Sequence, residues 1–169
     1  MPKSSGVNSS GFTLVELLVV TSIIAILSSV AVVYFGTFLK NSRDGKRQAD
    51  LGRIQSALEE YHSDQFYYPC GSGEDALTFG SSLTSSTGNC SAAELSVVKT
   101  YINILPTEAL PSRSPYFYRA LPSSCDNTTS KCTSYCVFAS MESISNNIPS
   151  ECAPLPVANP AYNFTVTKP

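Results

Sequence analysis

Glu16 is the side chain whose surroundings ask most of chemistry. It is the one charged residue in the run GFTLVELLVVTSIIAILSSVAVVYFGTFL, Gly11 to Leu39, and it stands five residues after the glycine. A carboxylate among lipid tails costs a few kcal/mol even on lenient insertion scales, so such a residue marks a function and calls for a partner. A secretory signal that merely tolerates one Glu fits poorly. The apolar stretch from Phe12 exceeds the core of a signal peptide, and no small-residue cleavage site follows it.

The second chemistry is that of cysteine. Cys70, Cys90, Cys125, Cys132, Cys136 and Cys152 all lie beyond the apolar run. An even number on one side of a membrane segment reads as disulfides in an oxidising exterior. Zinc would call for paired CxxC or Cys/His clusters, and the one histidine, His62, lies apart from the cysteines. Six cysteines allow about fifteen pairings. The set preferred from loop composition is Cys70 with Cys90, Cys125 with Cys132, and Cys136 with Cys152. The first closes a Gly/Ser/Thr-rich loop, the second staples the polar turn DNTTSK, and the third ties a strand to the tail.

Groups for catalysis are few. A nucleophile would have to recruit His62, on the polar part of a predicted helix, and the acidic pairs Glu59-Glu60 and Glu74-Asp75 read as solvated surface. No phosphate-cradling glycine motif follows a strand. The expectation is therefore no enzyme, no cofactor and no metal. Asn89, Asn127 and Asn163 begin Asn-x-Ser/Thr triplets, which mark polar loops more safely than sugars. Beyond Arg53 the basic residues Lys99, Arg113, Arg119, Lys131 and Lys168 form no patch with aromatics except around Tyr116 to Arg119. DNA binding is not expected.

The elements that must hold these residues follow from pattern. The chain has 169 residues and a net charge of -2, so it is not a basic nucleic-acid-type protein, and the roughly 130 residues beyond the apolar run suffice for one core. The run itself, about 28 residues at 1.5 Å each, exceeds the roughly 30 Å hydrocarbon core. Leu51, Ile54, Leu58 and Tyr61 then recur at spacings of three and four, predicting an amphipathic helix. No proline interrupts Phe12 to Phe66, so one helix is expected from Phe12 to about His62. A short second helix is expected from Ser91 to Leu105, closed by Pro106. Strands are expected at 114–121, 134–141 and 162–167, forming a small antiparallel sheet with one face on the Leu51, Ile54, Leu58 and Tyr61 stripe. The fold class is α+β.

Charge sets two expectations in conflict. Lys40, Arg43, Lys46, Arg47 and Arg53 follow the apolar run, which by the positive-inside rule would hold the head in the cytoplasm. The cysteines argue for the outside. Asp44 and Asp50 interleave with the basic residues, which suits a solvated helix face, and contact with lipid headgroups before assembly is a second use for the cluster.

The leader MPKSSGVNSSG, followed by Phe-Thr-Leu-Val-Glu, resembles the amino-terminal signal of type IV pilins and of the pseudopilins of type II secretion and competence systems. Later landmarks resemble the same family: Tyr68-Pro69 after the long helix, Leu-Pro before a strand, and a strand running into Met141-Glu142. The resemblance implies a pilin fold of four parts: a cleaved leader over 1–11, a transmembrane helix half over 12–39, an amphipathic half over 40–65, and a disulfide-stapled head over 66–169. It implies cleavage between Gly11 and Phe12 by a membrane aspartyl peptidase, N-methylation of Phe12, and an assembly role for Glu16. It further implies a single-pass precursor in the cytoplasmic membrane with its head outside. Helical homo-oligomeric filaments on the cell surface would then form through an assembly platform and ATPase. Glu16 would face the Phe12 amine of a neighbouring subunit, each charge neutralising the other away from water.

Two departures from the family stand out. Ala25 and Val33 occupy positions where many members have glycine and proline, so the helix is expected to stay continuous unless Thr21, Ser22, Ser28, Ser29 and Gly36 soften it. Secretion pseudopilins often bind calcium through loop carboxylates, and the corresponding stretch here carries only Glu108. Calcium is not expected. The functional expectation is a structural pilus subunit serving adhesion, twitching or DNA uptake, with a secretion or competence pseudopilin as the alternative.

Overall fold

The apolar run and the amphipathic segment form one helix, α1, spanning Leu14–Gln65. The computed structural model describes residues 11–71, 77–87, 98–143, 148–158 and 160–169. The chain divides between Leu39 and Lys40 into two compact units.

In the first unit every side chain from Phe12 to Leu39 is exposed within the chain, including Leu14, Ile26, Val33 and Phe38. A helix apolar all round and uncovered by its own chain suits lipid or other helices. Among the described residues it is the one helix long and apolar enough to cross a membrane. Its hydroxyls leave the helix intact: Thr21, Ser22 and Ser29 donate to the carbonyls of Leu18, Val19 and Ile26 at 2.7–3.0 Å. These three hydroxyls are thereby satisfied inside the helix, as a lipid environment requires.

In the second unit the sheet covers the amphipathic stripe. Leu51, Ile54, Leu58 and Tyr61 are all completely buried. Strands β3 (Phe117–Leu121), β4 (Ser134–Ala139) and β5 (Phe164–Thr167) form an antiparallel sheet in the order β3-β4-β5. Tyr118 pairs with Val137 and Ala120 with Tyr135, so one face presents Tyr118, Ala120, Tyr135, Val137 and Ala139 to the cluster that holds the helix stripe. The strand period of two places Phe117, Leu121, Cys136 and Phe138 on the other face. That face is covered too, by Cys152 of a short 3-10 turn (Ser150–Cys152) and by Tyr162. Burial on both sides explains why β4 is apolar along its length instead of alternating. Cys136 is bonded to Cys152 across this outer cluster, and Cys125 to Cys132.

A second, two-stranded antiparallel ribbon joins β1 (Leu83–Thr84) to β2 (Thr100–Ile102). This corrects the expected helix over 91–105. Residues 91–97 lie outside the described residues, and the described part is strand and loop. Thr, Tyr and Ile at 100–102 favour an extended chain, and pairing with Leu83 decides the matter. The pairing of Cys70 with Cys90 also lies outside the described residues because Cys90 does; Cys70 is itself disulfide-bonded. Residues 1–10 of the leader and the acidic pair at 74–75 lie outside them as well.

Two turns depart from ordinary backbone geometry. Phe66 ends α1 at φ 62°, donating its N–H to the His62 carbonyl at 2.8 Å, although its ring remains 80% exposed. Asn127 takes φ 60° inside the Cys125–Cys132 loop and is buried. Its amide donates to the Tyr68 carbonyl and accepts from the Cys132 N–H, both at 2.8 Å. That amide is committed to holding the loop against the end of the helix region.

Candidate functional site

The site at the start of α1 is built by Thr13. It is the residue before the first helical position, its carbonyl accepts the Leu17 N–H at 3.2 Å, and its hydroxyl accepts the Glu16 N–H at 3.2 Å. Glu16 reaches back in return: its Oε2 accepts the Thr13 N–H and hydroxyl, both at 3.4 Å. This reciprocal arrangement is a capping box, which satisfies two N–H groups that a helix start would otherwise leave bare. The signal Thr-x-x-Glu stands in the sequence at 13–16, and the reading of Glu16 as a membrane charge alone passes over it.

The bonds to Oε2 are long, and Oε1 has no partner among the described residues. Half of the carboxylate is therefore open. It also sits in the first turn, where the helix dipole favours negative charge. Phe12 is 84% exposed, and nothing within 4 Å crowds Gly11. Gly11 and Phe12 are both exposed and precede the first helical residue, Leu14.

Residues 7–32 match the family model described as the prokaryotic N-terminal methylation motif. The chain carries that methylation motif. It supports a type IV pilin-like or pseudopilin protein, and the long apolar helix with two small antiparallel sheets is consistent with an α+β pilin fold. The motif implies processing by prepilin peptidase, and together with the apolar helix it fits membrane insertion. No curated protein and no solved structure matches the chain.

Within the second unit the expected solvated face of α1 is in fact an interior charge cluster. Arg47, Asp44 and Asp50 are buried. Arg47 forks onto Glu108, Nε to Oε2 at 2.7 Å and Nη2 to Oε1 at 2.9 Å, while Nη1 reaches Asp44 at 2.8 Å and Glu142 at 3.0 Å. Arg43 makes a second fork onto Glu142, both bonds 2.7 Å. Asp44 also accepts the N–H groups of Glu142 and Ser143 at 2.7–3.0 Å, and Asp50 accepts the Tyr116 hydroxyl at 3.2 Å. Bidentate, charge-assisted bonds of this kind are what let charges leave water.

Two carboxyl groups respond accordingly. The bonds from Arg43, followed by those from Arg47, pull Glu142 down to about 2 against the opposing effect of burial. Burial alone would push Glu108 up, but the Arg47 fork and the Leu110 N–H outweigh it and leave the group below its ordinary value. Glu108 and Glu142 lie 61 and 95 residues from Arg47, so no local pattern announces them. The basic cluster behind the topology conflict is thus smaller than its count. Arg43 and Arg47 serve the fold, while Lys40, Lys46 and Arg53 have no ion pair or hydrogen bond among the described residues.

Of the groups weighed for catalysis, Glu74 and Asp75 lie outside the described residues, and the others have partners within the second unit. His62 is half-buried and stacks on Tyr68 with ring centres 4.6 Å apart. Glu59, expected on the surface, accepts the hydroxyls of Tyr68 and Tyr135 at 2.9–3.1 Å. Glu60 joins Asp64 in holding Lys99.

Proposed function

We propose that the chain is a structural subunit of a type IV pilus filament that serves adhesion, twitching motility or DNA uptake. It enters the cytoplasmic membrane as a single-pass precursor with its head outside, is cut between Gly11 and Phe12, is methylated at Phe12, and is drawn into a surface filament by an assembly platform and ATPase. The observation that carries this reading is the half-open Glu16 carboxylate in the first turn of an uncovered apolar helix that bears the methylation motif.

The physical logic runs through the new amine. Before cleavage Phe12 is a peptide link and Glu16 has only its cap. Cleavage puts a positive charge one helical turn from Glu16, at a helix end that already attracts the carboxylate. In a staggered bundle of helices, Oε1 of one subunit receives the Phe12 amine of the next while Oε2 keeps the cap. Pairing offsets the desolvation that each charge would meet alone. The disulfides and the Ser/Thr-rich composition of the head favour an exposed surface filament. A role without catalysis is supported by the tyrosine partners of Glu59 and the stacking of His62. The short connection after α1, with no large insert before the ribbon, favours a secretion or competence pseudopilin as the second reading.

Mass spectrometry of sheared filaments tests the reading directly. The expected amino-terminal peptide begins with methyl-Phe12, and recovery of residues 1–11 on the surface protein would overturn it. Glu16→Ala should remain in the membrane at normal abundance while filaments, scored by electron microscopy, are lost. Normal filaments from that variant would remove the proposed charge pair.

A further inference from the structure

We infer that Lys40 and Lys46, at the start of the second unit, form with the apolar wall of the Ala109-Leu110 loop a contact site for anionic phospholipid. The inference rests on the membrane-anchored reading above, and it names the lipid class and the residues that meet it.

The starting observation is how the structure sorts the basic residues that follow the apolar run. Arg43 and Arg47 are committed to Asp44, Glu108 and Glu142. Lys40 and Lys46 are exposed and have neither an ion pair nor a hydrogen bond among the described residues. The head begins to cover α1 at Asp44, which is buried, whereas Lys40, four residues earlier and so on the same helix face, is bare. Lys40 directly follows Leu39, the last residue of the exposed apolar run, and Lys46 comes within two turns of it. Lysine stems at such positions lie along apolar surface and carry their amines to the headgroups.

The surroundings of the two lysines favour an anion from outside. Glu108 and Glu142 each receive an arginine fork, Asp44 accepts the N–H groups of Glu142 and Ser143, and Asp50 accepts the Tyr116 hydroxyl. The adjoining loops add no acid: Ala-Leu-Pro-Ser separates Glu108 from Arg113, and none occurs between Glu142 and Glu151. Glu74, Asp75 and Glu94 lie outside the described residues.

An apolar wall beside the cation selects the kind of anion. Lys46 lines, together with Ala109, Leu110 and Tyr116, a depression of about 200 Å³. Ala109 and Pro111 are exposed and Leu110 is half-buried. A charged head joined to an apolar body satisfies both lysine and wall, whereas a free phosphate or a nucleic acid leaves the wall in water. Two other cations provide the contrast. Arg53 is unpaired but shares its depression with Glu60, and Lys168 lies over the Tyr68 ring at 5.9 Å. Neither lines the depression at Lys46.

Native mass spectrometry of the full-length chain in detergent micelles, with phosphatidylglycerol and phosphatidylcholine added in equal amounts, tests the site. The wild-type chain should retain phosphatidylglycerol in preference. Lys40→Gln and Lys46→Gln, both at exposed positions without partners, should each lower that preference about fivefold, the effect of one lysine at an anionic surface. Arg53→Gln and Lys168→Gln should leave it unchanged. Equal retention of both lipids by the wild-type chain, a preference that survives the double lysine variant, or an equal loss in Arg53→Gln or Lys168→Gln would each overturn the lipid site and leave the filament reading standing. Release of the wild-type chain from cell membranes by alkaline carbonate would overturn both.

Discussion

Under the proposed pairing Glu16 has two jobs that use different oxygens of one carboxylate. Oε2 closes the cap with Thr13, and Oε1, without a partner among the described residues, is left for the amine that cleavage would create. The cap matters most at the moment of processing, when the first turn must be helical for the amine to sit beside the acid. Thr13 can be separated from Glu16 by mutation. Replacing a threonine cap by alanine costs about 1 kcal/mol, or roughly a fivefold rise in local opening. Thr13→Ala in the full chain, held in detergent micelles, should therefore speed amide exchange at Glu16 and Leu17 by about that factor while exchange in β4 stays unchanged. Equal protection at the helix start would show that Thr13 contributes nothing to the geometry of Glu16.

At the scale of elements, what was legible in the sequence is what local spacing encodes. Leu51, Ile54, Leu58 and Tyr61 announced their helix face by period, and β3 and β4 announced themselves by aromatic and β-branched residues between polar turns. The helix expected over 91–105 failed at Thr100–Ile102 because the pairing with β1 is not a local signal. The charge cluster was hidden for the same reason: Asp44, Arg43 and Arg47 look like a solvated face until Glu108 and Glu142 arrive from distant loops. The covering of the outer face of β4 was legible in part, through the pairing of Cys136 with Cys152, whereas the packing of Tyr162 on Phe138 is not a local signal. Cys136 and Cys152 close a loop with a sequence separation of 16. A closed loop of that length adds about 3 kcal/mol by restricting the unfolded chain. Cys136→Ala with Cys152→Ala should lower unfolding free energy by about that amount in denaturant titration of the detergent-solubilised chain. A loss below about 1 kcal/mol would mean that apolar burial around Phe138 and Tyr162 holds the tail unaided.

For the whole molecule, the charge cluster ties three distant parts of the chain into one cooperative unit: the start of the amphipathic half of α1, the Glu108 loop and the end of β4. The groups facing one another there are Arg43, Asp44 and Arg47 from α1, Glu108 from its loop, and Glu142 with Arg113 from the sheet side. Folding lowers the proton affinity of Glu142 and Glu108, so the unfolded chain binds more protons than the folded one as pH falls. Stability from these groups is complete above the ordinary carboxylate value near 4.5 and is lost as pH falls toward the folded value of about 2 for Glu142. The midpoint of thermal unfolding, measured on the full chain in detergent, should be level from pH 7 to 5 and then decline steadily between pH 4.5 and 2. Asp126, also depressed by the N–H groups and hydroxyls of its turn, titrates in the same direction. Glu142→Gln separates the two contributions: it keeps an acceptor for Arg43, removes the charge, and should start lower at pH 7 yet decline less on acidification. A variant curve parallel to wild type would assign the acid sensitivity to other carboxylates, and the cluster would then be a set of contacts without a titrating role.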